Sequence, residues 1–348
     1  MQTQPELTPW RGRLARGPRG VKWLIYIVYL SVLVVLGIEL FWWLRFGTTS
    51  VPAAEKNTEA VWQLFYKQLW RSGAIDAPTA PDDTIDILLL GGSVLKQTAP
   101  LWEQAVAEHT GKQVRVYDLA VAAHTTRDSR LKYEYLQGRH FDWIVLYHGI
   151  NDVRMNYASD EQFRDDYTHC AWYRGIQKRL EEGQVTFSAL TTTIAENLTD
   201  FGGPAPDQYD LGRKLRTPKP FGDNIRAIVE QALESESQVL LMTFAWYVPD
   251  GYTREAFGAG QLDYGDGEFS MPVENWGEPA QVVRTLDAHN DQIRQLQGEY
   301  SDTDRVVTID QASLLKSDGT RFSDVCHLTP KGCAEFVARA SPLIQSAP

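Results

Sequence analysis

Residues 84–97, TIDILLLGGSVLKQ, constrain the fold more than any other stretch of this chain. Ile85, Ile87, Leu88, Leu89 and Leu90 form a nearly continuous apolar run bounded by turn residues, the pattern of a strand covered on both faces in a parallel sheet. In open α/β sheets ligands gather at the carboxyl ends of the strands. Gly91 and Gly92 are expected to let the backbone turn sharply there and leave Ser93 exposed, which makes Ser93 a candidate nucleophile.

From residue 84 onward, apolar strands alternate with amphipathic helices. Strands are expected at 85–90, 114–119, 142–147, 238–244 and 305–309, and helices at about 96–110, 126–137, 222–235, 279–298 and 330–346. This alternation predicts a doubly wound parallel sheet with helices on both faces. Residues 153–221 and 246–278 are too long for simple crossovers, are rich in Tyr, Trp, Gly, Pro and Asp, and leave from the carboxyl ends of strands. Loops of that length are usually functional, so both are read as insertions that cover or shape a site.

Residues 23–44, WLIYIVYLSVLVVLGIELFWWL, carry Glu39 as their only charge and are long enough to cross roughly 30 Å of hydrocarbon as a helix. They exceed the apolar core of roughly 7–15 residues in a cleaved signal peptide, which predicts an uncleaved anchor, although VPAA at 51–54 leaves cleavage open. Arg11, Arg13, Arg16, Arg19 and Lys22 precede the segment, while only Arg45 and Lys56 follow closely. The positive-inside rule then places a basic tail, residues 1–22, in the cytoplasm and the rest of the chain on the periplasmic or extracellular side. Trp23, Tyr26, Trp42 and Trp43 fit the two interfacial aromatic belts. Residues 45–83 read as a juxtamembrane helix, with Val61, Leu64, Phe65, Leu69 and Trp70 at helical spacing up to Gly73, followed by a linker. The alternating strands and helices are expected to form one domain spanning 84–348. A net charge of −11 argues against a nucleic-acid partner. Cys170, Cys326 and Cys333 lack the paired spacing of a zinc site and leave one disulfide or free buried thiols open.

A serine hydroxyl is a weak nucleophile that needs a base, ideally an imidazole oriented by a carboxylate. FSDVCHLTPKG supplies Asp324 and His327, three apart in a loop before the last helix, where the carboxylate can hold Nδ1 and leave Nε2 aimed at Ser93. Taken alone, an Asp-x-x-His is also compatible with a helix cap and a surface histidine. LYHGIND ends a strand in Gly149, Ile150, Asn151 and Asp152, and an Asn side chain beside backbone N–H groups suits a developing oxyanion, although Gly and Asn also favour turns. After the second strand, YDLAVAAHTTRDS offers the small residues Ala120, Ala122 and Ala123 for close backbone approach. Exposed aromatics in THCAWYRG and in FAWYVPDGYTREAFGAGQLDYGDGEF suit stacking on a sugar ring; satellite cores under long loops are the alternative.

GGS at 91–93, LAVAAHT at 119–125, GIND at 149–152 and DVCH at 324–327 occur in the order and spacing of the SGNH/GDSL hydrolase blocks, and the chain resembles that superfamily over residues 84–346. The resemblance implies a flavodoxin-like, three-layer α/β/α domain with about five parallel strands, here preceded by one transmembrane helix. It also implies Ser93 as nucleophile, His327 as base, Asp324 as orienting carboxylate, and an oxyanion hole from the Ser93 and Ala123 N–H groups and the Asn151 side chain. Gly92, His124, His148 and Gly149 adjoin these blocks and are candidate pocket-lining residues; ordinary packed histidines are the alternative for His124 and His148. Gly92 stands where the family has Asp, Ala120 and Ala123 where it has Gly, and Asp118 where it has Asn. The expected protein is a membrane-anchored serine esterase that needs no metal or organic cofactor. Its expected substrate is a small-molecule or polysaccharide ester, most naturally an O-acetyl group on carbohydrate, and its anchor leaves room for a membrane partner protein. An O-acyltransferase and a catalytically silent polysaccharide-binding scaffold are the alternatives.

Overall fold

The structure, a computed structural model, describes residues 19–46, 58–183 and 203–345. Most of the basic tail, the VPAA stretch and the glycosylation sequon Asn-Leu-Thr at 197–199 lie outside the described residues.

Five strands form one sheet: β1 (Ile85–Gly91), β2 (Val114–Asp118), β3 (Trp143–Tyr147), β4 (Gln238–Met242) and β5 (Val306–Ile309). Their order is β2-β1-β3-β4-β5 with every pairing parallel, which is the doubly wound, flavodoxin-like arrangement expected from the sequence. The winding reverses between β1 and β3, so the crevice at their carboxyl ends is where this topology places a ligand. The helices relevant to the site are α1 (Arg19–Phe46), α2 (Thr58–Phe65), α3 (Gln68–Arg71), α4 (Ser93–Thr110), α5 (Thr126–Tyr135), α6 (Ile150–Val153), α7 (Ala171–Glu182), α8 (Pro218–Glu234), α9 (Pro279–Glu299) and α10 (Pro330–Ala340).

All seven residues of β1 are buried, because both faces of the sheet are covered. Side chains alternate across a strand. Ile85, Ile87 and Leu89 pack with Trp102 and Val106 of α4 and Phe336 and Val337 of α10. Leu88 and Leu90 belong to the opposite layer, with Tyr133 of α5, Ile225 and Val229 of α8, and Ile293 of α9. Each such side chain taken out of water contributes about 1.5–3 kcal/mol.

Helix ends differ from the sequence expectation where local chemistry decides them. α4 begins at Ser93 rather than 96, so the turn after β1 feeds directly into the helix, and it stops where Gly111 adopts φ 66°. α8 opens at Pro218 instead of 222, with proline in its first turn. α10 ends at Ala340 because Pro342 cannot continue an α-helical hydrogen-bond ladder. The expected single juxtamembrane helix is two: α2 and α3 are separated at Tyr66 and Lys67. Tyr66 is fully buried at that break, and its hydroxyl donates to Asp128 Oδ1 at 3.0 Å. Val61, Phe65, Tyr66 and Leu69 thereby join the core layer of α5 and α8. In α1, residues Trp23–Phe41 have a mean hydropathy of 2.5 and are long and apolar enough to cross a membrane by length and composition.

Because Leu69 is wholly buried against this layer, Leu69→Ala is expected to lower the unfolding free energy by about 2–5 kcal/mol in urea titration. A loss under about 0.5 kcal/mol, the range of ordinary surface substitutions, would remove α3 from the core.

Candidate active site

Five chain segments meet at the carboxyl edge of the sheet. β1 delivers Ser93 as the first residue of α4, with Gly92 as its N-cap in extended conformation at φ −92°. The two glycines act through space rather than through unusual dihedrals. A side chain at Gly91 would meet Leu95 and the Tyr147 carbonyl at 2.7–2.8 Å, and one at Gly92 would meet Asn151 Nδ2 at 2.7 Å. The absence of the family's Asp at position 92 thus lets the Asn151 amide close over the turn. Ser93 is not exposed as expected from the sequence but only 6% accessible, because the His327 ring lies against it.

The loop before α10 brings the histidine. Ser93 Oγ is 2.8 Å from His327 Nε2, and His327 Nδ1 is 2.7 Å from Asp324 Oδ2. Asp324 has no exposed surface. Its Oδ1 accepts the Cys326 and His327 N–H groups at 2.9 and 2.8 Å, and Oδ2 also accepts the Met271 N–H at 2.8 Å. A carboxylate so held is fixed in place and keeps the imidazole in the tautomer with its proton on Nδ1, leaving Nε2 to accept from the serine hydroxyl. Thr329 caps α10 by accepting the Gly332 N–H at 3.1 Å and sets where this loop ends.

Met271 belongs to the second insertion, as do Phe269, whose ring centroid lies 4.9 Å from that of His327, and Trp276, at 6.1 Å. The expectation that this insertion shapes the site is thus met by a backbone donor and two rings. Most of its other aromatics follow the bland reading: Tyr247 bonds Asp263, Tyr252 bonds Glu274, and Tyr247, Phe257 and Tyr264 pack on one another.

Asn151 lies in the short turn α6, and its Nδ2 donates to the His124 carbonyl at 2.9 Å, which leaves the second amide hydrogen for another acceptor. Ala123 adopts φ 66°, a left-handed conformation that costs a non-glycine residue about 1–2 kcal/mol. Asp118, unexplained by sequence, holds this loop: Oδ1 accepts the Ala120 N–H at 2.9 Å and Oδ2 pairs with Lys96 at 3.2 Å. The Ser93 N–H stands at the amino end of an 18-residue helix, whose dipole favours negative charge there. Ala123, Asn151 and the amino end of α4 thus lie together on the loops around Ser93.

A cavity of about 490 Å³ opens from Ala123 and Asn151 toward the first insertion, where Arg154, Tyr157, Trp172 and Gln208 line it. His124 also lines it, whereas His148 does not: its Nε2 meets Ser129 Oγ at 2.8 Å in the protein interior. Burial, with the nearby Lys132 ammonium, lowers His124 to about 4 and His148 to about 3, so both are neutral at neutral pH. Gly149 has no room for a side chain because Phe244 packs on its α-carbon.

No disulfide joins the three cysteines, and Cys326 and Cys333 are buried thiols. Asp324, Cys326 and His327 place ligand-type atoms within 4.8 Å of one another. They do not suit a metal, since burial pushes the Cys326 thiol up and His327 Nδ1 is already bonded to Asp324. Sequence reasoning missed Arg154, Met271, Phe269 and Trp276. Only the place of Arg154, one helical turn after Asn151, offered a signal.

The chain belongs to the GDSL-like lipase/acylhydrolase family, whose sequence profile matches residues 90–334, more than half of its length. It is accordingly a carboxylic ester hydrolase of SGNH/GDSL type. Among solved structures it is similar to a GDSL-like lipase from Bacteroides thetaiotaomicron, with 11% identity and a TM-score of 0.42 over 78% of this chain and 93% of that one. It is also similar to an acetylxylan esterase from Geobacillus stearothermophilus, with 14% identity and a TM-score of 0.40 over 77% and 99% of the two chains. No curated protein matches its sequence.

Two outcomes test this geometry. Ala123→Gly relieves the left-handed strain and is expected to leave stability within about 1 kcal/mol of wild type or raise it. Ala123→Val, β-branched at positive φ, should lose about 2 kcal/mol or more by thermal unfolding. Burial raises Asp152 to about 7 although Thr126 and Tyr167 donate to it. The folded chain therefore holds a proton that the unfolded chain has lost, and this contribution to stability, full below about pH 4, disappears as pH rises through about 7. Asp152→Asn should flatten that part of the stability profile; an identical slope in both proteins refutes the assignment.

Proposed function

We propose that this chain is a membrane-anchored serine esterase that removes an acyl group, acetyl in the first instance, from a carbohydrate on the outer side of the membrane. The observation that carries the reading is the continuous hydrogen-bonded path from Ser93 Oγ through His327 to Asp324. His327 Nε2 takes the Ser93 proton as Oγ attacks the ester carbonyl, and Asp324 steadies the imidazolium that forms. The Ser93 and Ala123 N–H groups and Asn151 Nδ2 hold the tetrahedral oxyanion. His327 then gives its proton to the departing sugar oxygen, and water, deprotonated by His327, cleaves the acyl-enzyme.

An ester of carbohydrate is favoured by a roomy cavity of about 490 Å³ that joins Asn151 to Trp172 and Tyr157, rings of the kind that pack on sugar faces. Anchoring is supported by α1 and by the excess of Arg and Lys before it, which orients the amino end to the cytoplasm and the hydrolase domain, residues 84–348, to the periplasm or exterior.

The test uses the full chain in detergent, with fluorophosphonate labelling and acetate release from a small acetyl ester. Labelling should be lost in Ser93→Ala, and turnover should fall by at least about 10⁴-fold in Ser93→Ala and His327→Ala. Asn151→Ala should retain labelling but lose about 10²–10³ in kcat. Wild-type protein that neither labels nor turns over would refute the catalytic reading in favour of a binding scaffold.

A further inference from the structure

We infer that Arg154 forms a carboxylate-binding subsite beside the catalytic serine, so that the ester this enzyme cleaves is carried on an acidic, uronate-type sugar. The inference rests on the esterase reading above and specifies its substrate class.

Arg154 follows α6 and lies three residues beyond Asn151, a spacing that puts both side chains on one face of the turn. Both line the cavity of about 490 Å³. The guanidinium carbon sits 5.6 Å from the centre of the Trp276 ring, and that ring lies 6.1 Å from His327. The positive charge is thus one aromatic ring away from His327.

Within the described residues this charge has no partner. Arg115, Arg216, Arg226 and Arg321 each meet a carboxylate at 2.7–2.9 Å. Arg154 forms no ion pair among the described residues, and its Nε is buried without a hydrogen-bond acceptor. Burial acts on it in the opposite sense to a partner, holding its pKa below the ordinary arginine value. A partly desolvated guanidinium without an ion-pair partner costs free energy, and contact with the Trp276 face offsets part of it. A ligand anion supplies the missing acceptors.

The cavity also indicates which anion. Among the described residues no Asp or Glu lines it, in a protein with a net charge of −11. Among the described residues that line it, Arg154 is the one permanently charged side chain, and His124, lowered to about 4, adds no charge at neutral pH. One fixed positive charge on a planar fork matches a monoanionic, planar carboxylate better than a phosphate dianion. Tyr157 and Trp172 provide flat surfaces for the sugar that bears it.

The experiment compares acetate release from an O-acetylated methyl glucuronoside with release from the same compound as its uronamide, using the full chain in detergent. Wild type should prefer the acid by at least tenfold in kcat/KM. That preference should fall at least tenfold in Arg154→Gln, mainly through KM, and take an intermediate value in Arg154→Lys, which keeps the charge but not the fork. Equal rates on acid and amide by wild type, or a parallel loss on both substrates in Arg154→Gln, would overturn the subsite. Binding of unacetylated methyl glucuronoside, followed by calorimetry in Ser93→Ala and in Ser93→Ala with Arg154→Gln, tests it without turnover. At least tenfold weaker binding in the double variant supports it, whereas equal or undetectable binding in both refutes it. Binding that depends on Arg154 in a protein that releases no acetate would instead overturn the esterase reading and leave the subsite standing.

Discussion

The site depends on one buried carboxylate. Asp324 accepts three backbone N–H groups and the His327 ring, and these donors come from two separate parts of the chain: Met271 in the second insertion, and Cys326 and His327 in the loop before α10. An ionised group taken fully out of water is tolerated only when its lone pairs are satisfied. The same four bonds that meet this requirement also fix the imidazole over Ser93. Structure and the proposed chemistry therefore share one constraint: whatever loosens the second insertion from Asp324 leaves a buried charge short of a donor and His327 short of its orientation toward Ser93.

A second buried carboxylate does comparable work on the other side of the cavity. Asp128 accepts from the Tyr66 hydroxyl, the Trp172 indole, the Tyr173 hydroxyl and the Thr125 N–H. Burial alone would raise it, but His124, the Tyr173 hydroxyl and Lys132 bring it below the usual carboxylate value. Lys132, lowered to about 8 by burial, donates to the Leu119 carbonyl and stands 3.2 Å from His124 Nδ1. Through these bonds the segment between α2 and α3, the cap of α5 and the start of α7 are tied to the loop that carries Ala123. The helices α2 and α3 that precede β1 are thus part of the shell that holds the cavity, not a spacer attached to a finished domain.

Much of this was legible in the sequence, and the physical reason differs from residue to residue. β1 was readable because a strand buried on both faces leaves an unbroken apolar run. Ser93, Asn151, Asp324 and His327 were readable because each ends a strand or a loop at the same sheet edge. Ala123 was flagged by the sequence only as an alanine where the family has glycine, and its left-handed conformation accounts for that preference. Met271 was invisible because it acts through its backbone N–H, which every residue except proline possesses. The break at Tyr66 was invisible because a tyrosine in an apolar stripe reads as packing, while its hydroxyl had a partner 62 residues away. Asp118 looked like a departure from the family pattern, yet its carboxylate accepts from the Ala120 N–H much as an asparagine oxygen does.

Arg154 is the instructive case, because its meaning lies in what does not surround it. Sequence shows an arginine two residues after an Asp and gives every reason to expect a surface charge. The fold instead turns Asp152 inward, where Thr126 and Tyr167 donate to it, and sends Arg154 to the opposite side of the same turn, into the cavity. The nearest acid in sequence is thereby withdrawn from the arginine, and Trp276 covers it from the far side. A chain under no constraint at this position would lower its free energy by neutral replacement or by placing an acid nearby, as it does at Arg115 and Arg321. Keeping a partly desolvated cation without an ion-pair partner in this cavity makes sense where the compensation arrives with the substrate, and then the cost of the empty site becomes part of the selectivity for a charged one.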